Sequence, residues 1–431
     1  MGRRNTCRQS RCAPVAPPGA SFQLPPPSTG SAAPHPWQPD LRSCGAQSFA
    51  MRPLSLIAGT SVALSLLSDG LATNAVDSPV APEAARETFQ VDEGLVVELV
   101  AAEPLTASPV AMAWDDAGRL FVVENRGYPT GMPDGSKGGV IASLEDSDVD
   151  GRMDRRTVFA DGFTFPNGIL AWNGGFFVTC APDVFFLKDT DGDGRADLRQ
   201  VVLTGFDTSN STQLRVAHPT FGPDGWIYLT SGLTHAGDIT SPLHLDRPAV
   251  RIGTDSRFNP FTHEIEPVDG RGQFGQTFDD WGNRFHNMNR VHIQHTVLPS
   301  RFLQRNPDFA FTETVHNVPE GMIDDLLKSR NVAARIYPIS DNLTTADSHA
   351  GTFSAACSLL VYRGDGLPVD YYGDVFTCDP TGNLVHRDRL TPVGPTFSSR
   401  MVNEGREFLA SRDNWFRPVF LATGPDGALY V

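Results

Sequence analysis

The sequence predicts an all-β fold, a six-bladed β-propeller with its last blade truncated. Three observations predict it. A hairpin phrase returns six times along the chain. Forty glycines and 34 prolines favour many turns over long helices. Two acidic turns of identical spacing, "DSDVDGRMD" at 146–154 and "DTDGDGRAD" at 189–197, mark a repeated architecture.

The phrase is an apolar run, a tight turn carrying glycine, and a second run rich in aliphatic or aromatic residues. It reads "VAMAWDDAGRLFVVEN" (110–125), "GILAWNGGFFVTC" (168–180) and "PTFGPDGWIYLTSG" (219–232). It returns as "GQTFDDWGNRFHNMN" (275–289), "CSLLVYRGDGLPVDYYGDVFTCDP" (357–380) and "VFLATGPDGALYV" (419–431). Each is two short strands around a turn in which glycine supplies positive φ at little steric cost. Further strand-like runs lie between the phrases, so a unit of about fifty residues carries four strands, as a propeller blade does.

From the N-terminus, residues 1–50 are rich in Pro, Ser and Arg with no periodic apolar face. Such a segment cannot bury enough surface to offset chain entropy and is expected to be a disordered extension, a mis-assigned gene start being its origin. Residues 51–75 read as a signal peptide: Arg52, an apolar run from Leu54 to Leu67, and small residues before a cleavage point after Ala75. A buried N-terminal helix is the alternative. The propeller is expected over 76–431, with an insertion at about 295–350. The stretch 88–104 is expected to supply an outer strand to the incomplete last blade, in which the sequence stops.

The chain carries 50 acidic against 35 basic residues, a formal net charge of −15. Nucleic acid is therefore excluded as a natural partner, and no run is long and apolar enough to predict a membrane span. Export places the protein in the periplasm or outside the cell. Cys7, Cys12 and Cys44 precede the signal, leaving Cys180, Cys357 and Cys378. A hairpin register with Tyr362 opposite Gly373 sets Cys357 opposite Cys378. A disulfide there and two reduced core cysteines are both open.

In the acidic turns, Asp146, Asp148, Asp150 and Asp154 match Asp189, Asp191, Asp193 and Asp197 in spacing. Carboxylates at positions 1, 3, 5 and 9 with glycine at 6 follow the start of a calcium loop. The bidentate Glu of position 12 is replaced by Thr157 and Gln200. Structural calcium and a plain polar turn both remain open. As turns between strands C and D, the two loops belong to the same rim as the A–B turns.

The stretches "DTDGDGRADLRQVVLTGF", "FGPDGWIYLTSG", "FDDWGN", "YYGDVFTCDPTGNLVHR" and "SRDNWFRPVFLATGPDGALYV" together resemble a known family. It is the N-terminal "membrane-bound dehydrogenase" propeller of the large PVC-type haem-binding CxxCH proteins, and the likeness covers about 86–431. More remotely, the chain is similar to the glucose/sorbosone dehydrogenases, propellers that use pyrroloquinoline quinone (PQQ). No CxxCH occurs here, so no haem is assigned to this chain, and a haem domain or other acceptor would be separate.

Chemistry in a propeller is expected at the mouth of the central channel, on the rim of the B–C loops and D–A crossings. The candidates there are Asn125, Arg126, Asn167, His218, His235, Arg271, Gln273, His286, Asn287, His349, Arg412, Asp413, Asn414, Trp415 and Arg417. A neutral histidine can take a hydroxyl proton as hydride leaves a sugar carbon, and arginines can clamp the carboxylates of a quinone. The resemblance implies that His218 is the catalytic base and that Arg271 and Gln273 occupy a cofactor neighbourhood. The functional expectation is a dehydrogenase of a sugar or related alcohol. The alternative is a non-catalytic propeller binding glycan or protein. His292 and His295, three residues apart, form a further candidate metal pair with no carboxylate near in sequence.

Overall fold

The computed structural model describes residues 79–320, 323–324, 332–341 and 351–431. The extension, the signal segment and His349 lie outside the described residues. Residues Ala72–Val431 form one compact unit. It is an all-β propeller arrangement with five blades, not the six expected.

A short strand β1 (Phe89–Val91) precedes the blades. Blade one is β2 (Pro109–Trp114), β3 (Leu120–Asn125), β4 (Gly139–Glu145) and β5 (Arg155–Phe163). Blade two is β6 (Gly168–Trp172), β7 (Gly175–Cys180), β8 (Asp183–Lys188) and β9 (Leu198–Thr204). Blade three begins with β10 (Ala217–Phe221) and β11 (Ile227–Thr230). A side hairpin β12 (Gly237–Ile239) and β13 (Val250–Ile252) follows, before β14 (Ser256–Phe258) and β15 (Ile265–Pro267) complete the blade. Blade four is β16 (Gln276–Phe278), β17 (Arg284–His286), β18 (Gln294–Thr296) and β19 (Val315–Asn317). The start of the expected insertion is thus the outer half of this blade. A two-stranded pair, β20 (Ile323–Asp324) and β21 (Val332–Ala333), comes next.

Blade five departs from the repeat. Its meander is β22 (Cys357–Val361), β23 (Val375–Asp379), β24 (Leu384–Val393) and β25 (Thr396–Met401). The second half of β24 pairs with β25, while its start pairs with β26 (Leu409–Ser411). Strand β1 then adds to β26, with Phe89 opposite Ser411. The N-terminal stretch therefore extends blade five and does not complete a sixth blade. The sixth phrase forms only a two-stranded hairpin, β27 (Ala422–Thr423) and β28 (Leu429–Tyr430).

The A–B turns follow their glycines. Gly118, Gly225, Gly282 and Gly427 have φ of 77°, 81°, 81° and 77°. In blade two the left-handed positions are Asn173 and Gly174, and Gly175 already begins β7.

The core lies between blades. Phe121, Ile141, Phe176 and Val178 pack blade one on blade two. Phe177, Leu203, Leu229 and Phe258 join two to three. Tyr228 and Phe278 join three to four, and Phe285, Leu359 and Val375 join four to five. Tyr362, Phe376, Leu421 and Leu429 seat the last hairpin on blade five. The Trp114 and Tyr430 rings, 4.9 Å apart, join that hairpin to blade one. Blade faces are thus covered by neighbouring sheets, as the hydrophobic strands require.

Candidate functional site

The strands fix the rim on which each candidate stands. Strand A of a blade starts where strand B ends, so the start of β10 and the ends of β11 and β17 share one rim. That rim carries a buried polar network across blades three and four. The Nη2 of Arg284 donates to Asp255 Oδ2 at 2.6 Å and to Gln276 Oε1 at 2.8 Å. Arg284 Nε donates to the same Gln276 oxygen at 3.0 Å. Gln276 Nε2 donates in turn to the main-chain carbonyl of His218 at 2.9 Å. The other oxygen of Asp255 accepts the N–H groups of Ser231 and Gly272, both at 2.8 Å.

His218 sits on a bulge in β10 with φ 52°, a left-handed conformation costly for a residue with a Cβ. Ser358 takes the same place in blade five, with φ 47° at a bulge in β22. The Oγ of Ser358 accepts Leu421 N–H at 2.6 Å, a structural task. The ring of His218 is half-buried and lies 5.3 Å from the Phe420 ring.

Burial sets the charge states here. It pushes His218 down to about 4, against a main-chain hydrogen bond at Gln276. Burial, and then the Arg284 charge, push His286 down to about 3. Burial works to raise Asp255, but Arg284, His286 and the donated hydrogen bonds outweigh it and hold its carboxyl below the ordinary value. Both ring nitrogens of His286 and both amide atoms of Asn287 are buried without a hydrogen-bond partner among the described residues. At Gly270, φ 99°, a Cβ would meet His286 Nε2 at 2.6 Å, so only glycine lets this loop close over the ring.

The other candidates are distributed as follows. Asn125 is buried at the end of β3, with Oδ1 unpartnered among the described residues. Arg126 is paired with Glu124, which also binds Arg156. Asn167 accepts the Thr179 hydroxyl at 2.7 Å. Gln273 is buried and accepts Asn289 N–H at 3.1 Å. His235 is exposed and lies 3.2 Å from Asp207. Asp413 caps its own turn through Trp415 N–H, and Asn414 is buried beside it. Arg271 is exposed and donates to Thr234 O, and Arg417 is exposed and donates to the carbonyls of Asn414 and Pro380. Neither guanidinium has a carboxylate partner among the described residues. Arg412, also exposed, donates its main-chain N–H to Thr88 O.

Asp255, Gln276 and Arg284 were not among the sequence candidates. Gln276 and Arg284 stand inside the fourth hairpin phrase, where they read as ordinary strand residues. Asp255 precedes a strand that the repeat does not mark.

The acidic loops occupy the opposite rim. A groove of about 340 Å³ there is lined by Asp115, Arg119, Trp172, Gly174, Asp189 and Gly192. The two loops fold alike. Asp146 accepts Val149 and Gly151 N–H, as Asp189 accepts Gly192 and Gly194 N–H. Asp154 and Asp197 bind Ser147 and Thr190 in the same way. One carboxylate oxygen from each of Asp146, Asp148 and Asp150 lies within 4.8 Å of the others, and Asp189, Asp191 and Asp193 repeat this. Asp150 first, then burial and the other aspartates, raise the Asp148 carboxyl.

Cys357 and Cys378 are Cα partners in the expected register, with Gly373 N–H donating to Tyr362 O. Both are buried free thiols, as is Cys180. Burial pushes the thiols of Cys357 and Cys378 up.

No helix among the described residues is long and apolar enough to cross a membrane. Among curated proteins, no relative matches the chain. Several solved structures align over most of both chains at low identity. A glucose dehydrogenase-type oxidoreductase of Thermus thermophilus is 16% identical, with a TM-score of 0.45 over 78% of this chain and 93% of that one. The PQQ domain of pyranose dehydrogenase from Coprinopsis cinerea is 13% identical, with a TM-score of 0.46 over 79% and 93%. The PQQ-bound aldose sugar dehydrogenase of Streptomyces coelicolor is 14% identical, with a TM-score of 0.40 over 79% and 90%. The family model for the domain of unknown function DUF7133 matches residues 81–431, and the chain belongs to that family.

Proposed function

We propose that the chain is an exported propeller oxidoreductase, a dehydrogenase of a sugar or related alcohol working at the rim that carries His218. The observation that carries the reading is His218 itself. It is held in a strained conformation, neutral, half-buried and locked to blade four through Gln276. Strain of this kind persists where the surroundings over-determine it, and it concentrates at functional sites.

The donor set suits a polycarboxylate quinone such as PQQ. Arg271 and Arg417 stand on the same rim, exposed and without a carboxylate partner among the described residues, so both guanidinium forks can take ligand carboxylates. When bound, such a quinone supplies the acceptor for hydride. His218 keeps its ring in the proton-accepting form at any pH well above 4 and takes the alcohol proton. The main-chain hydrogen bond at Gln276, which works to raise His218, favours the imidazolium that results. Trp415, 55% exposed on this rim, offers an aromatic face for a sugar ring. Electrons would leave to a separate acceptor, such as a haem domain.

The test is dye-linked turnover of the secreted protein with PQQ, calcium and a panel of sugars, for wild type and His218→Gln. Turnover lost in the variant with an unchanged melting temperature supports the reading. Sugar binding without turnover in wild type would make the chain a glycan-binding propeller instead.

A further inference from the structure

A second polar cluster is buried between blades four and five, built from three separate stretches of chain. His292 lies in the loop between β17 and β18. His386 and Asp388 stand two residues apart on β24, so their side chains share one face of the strand. Glu407 precedes β26. All four side chains are at most 4% exposed. His292 Nε2 is 2.6 Å from Asp388 Oδ2, and His386 Nε2 is 3.4 Å from Asp388 Oδ1. One ligand atom from each of these three residues falls within 4.8 Å of the other two.

We propose that His292, His386 and Asp388 bind a divalent transition-metal ion of the zinc class, with Glu407 as a positioning residue. The site is independent of the rim chemistry proposed above.

Four features support it. Two imidazoles and a carboxylate are the donor set that zinc and its neighbours prefer, whereas calcium and magnesium prefer oxygen alone. Ligands about 2.0–2.1 Å from a tetrahedral ion sit roughly 3.3 Å apart, so the His386–Asp388 spacing already fits and the His292 contact needs only a small opening. The Nδ1 of His386 contacts Glu407 Oε2 at 2.7 Å, and Tyr337 N–H fixes the other Glu407 oxygen at 2.8 Å. Donation from a ligating imidazole to an outer carboxylate is the usual way such a ring is aimed at a metal. Ser399 Oγ likewise holds Asp388 Oδ2 at 3.1 Å.

The fourth feature is charge. Every ion pair of Asp388 and Glu407 among the described residues is with these two imidazoles. A divalent ion balances both carboxylates, displacing the ring proton that Glu407 and Asp388 favour on His386 against burial. Phe353, in the stretch just before β22, stacks on His292 with ring centres 4.2 Å apart and covers that side of the cluster.

The expected pair of His292 and His295 is not the site. The Nδ1 of His295 contacts Thr396 Oγ1 at 3.0 Å, and its ring stacks on Phe285, away from the cluster. The carboxylate missing nearby in sequence comes from a strand 96 residues further on.

The test uses the full chain, freed of metal with a transition-metal chelator in excess calcium and titrated with cobalt(II) and zinc(II). We expect one ion per chain, visible d–d absorption for cobalt, and a melting temperature several degrees higher with zinc. Asp388→Asn and His292→Ala should each lose the cobalt spectrum. His263→Ala should keep it, which separates the site from the outer pair His244 and His263, whose rings are 5.6 Å apart. If metal-free wild type takes up neither ion, or if Asp388→Asn binds cobalt as wild type does, the proposal fails. The wild-type titration decides the matter even if a variant does not fold.

Discussion

The side-chain amide of Gln276 donates to the main-chain carbonyl of His218 at 2.9 Å, tying blade four to the left-handed bulge of blade three. The same side chain accepts two hydrogen bonds from Arg284. Gln276→Leu leaves a buried guanidinium and a carbonyl under-satisfied and should cost about 2 kcal/mol in denaturant unfolding. Gln276→Glu keeps the Arg284 bonds but cannot donate to His218. It should be milder in stability yet still lower dye-linked turnover. Full turnover in the Glu variant would remove the bulge from the catalytic account.

Stability should fall as pH drops from 7 toward 4. His286 titrates near 3 in the folded protein, and His218 and His295 near 4, against about 6.5 when unfolded. Between those values the unfolded chain binds more protons, so their contribution is complete above about 6.5 and is lost as pH falls through the window. Each can add a slope of up to about 1.4 kcal/mol per pH unit. Urea midpoints at several pH values measure it, and His286→Phe should flatten the dependence. The acid limb of turnover should likewise fall near pH 4, the His218 value, and not near 6.5.

The two acidic loops differ at one strained position. Val149, 88% exposed, has φ 62° where the second loop has Gly192 at φ 83°. A left-handed β-branched residue costs roughly 1–2 kcal/mol, and glycine returns about half of that as backbone entropy. Val149→Gly should therefore stabilise by up to about 1 kcal/mol, and Gly192→Val should destabilise. Thermal melts of the two variants check both signs.

Calcium should stabilise the fold through these loops. A calcium-selective chelator is expected to lower the melting temperature, and Asp191→Ala or Asp148→Ala to reduce that sensitivity. An unchanged melt on chelation would leave the loops as polar turns held by Asp146 and Asp189.

What was legible in the sequence was local. Turn glycines with φ near 80° announce each hairpin, and the Cys357–Cys378 register follows from counting outward along one hairpin. Pairings between distant segments carry no such mark. The run at 384–393 looks like one outer strand, yet its start pairs with β26 and its second half with β25, partners that no local pattern names. The same limit hid the partnership of Asp255 with Arg284 and of His292 with Asp388. Each polar side chain is chosen by what the folded neighbour presents, and neither is periodic in the chain.

The pairing of Phe89 with Ser411 also sets an order of events during synthesis. Strand β1 leaves the ribosome before any blade exists, and its partner emerges only after all five A–B hairpins. Until then β1 has no edge to join, and the outer margin of blade five has no cover. Blades one to four can form in the order of translation from contacts within each hairpin. The seam at β26 is necessarily late, so a nascent chain halted before Leu409 should hold four protease-resistant blades beside a still cleavable leading strand.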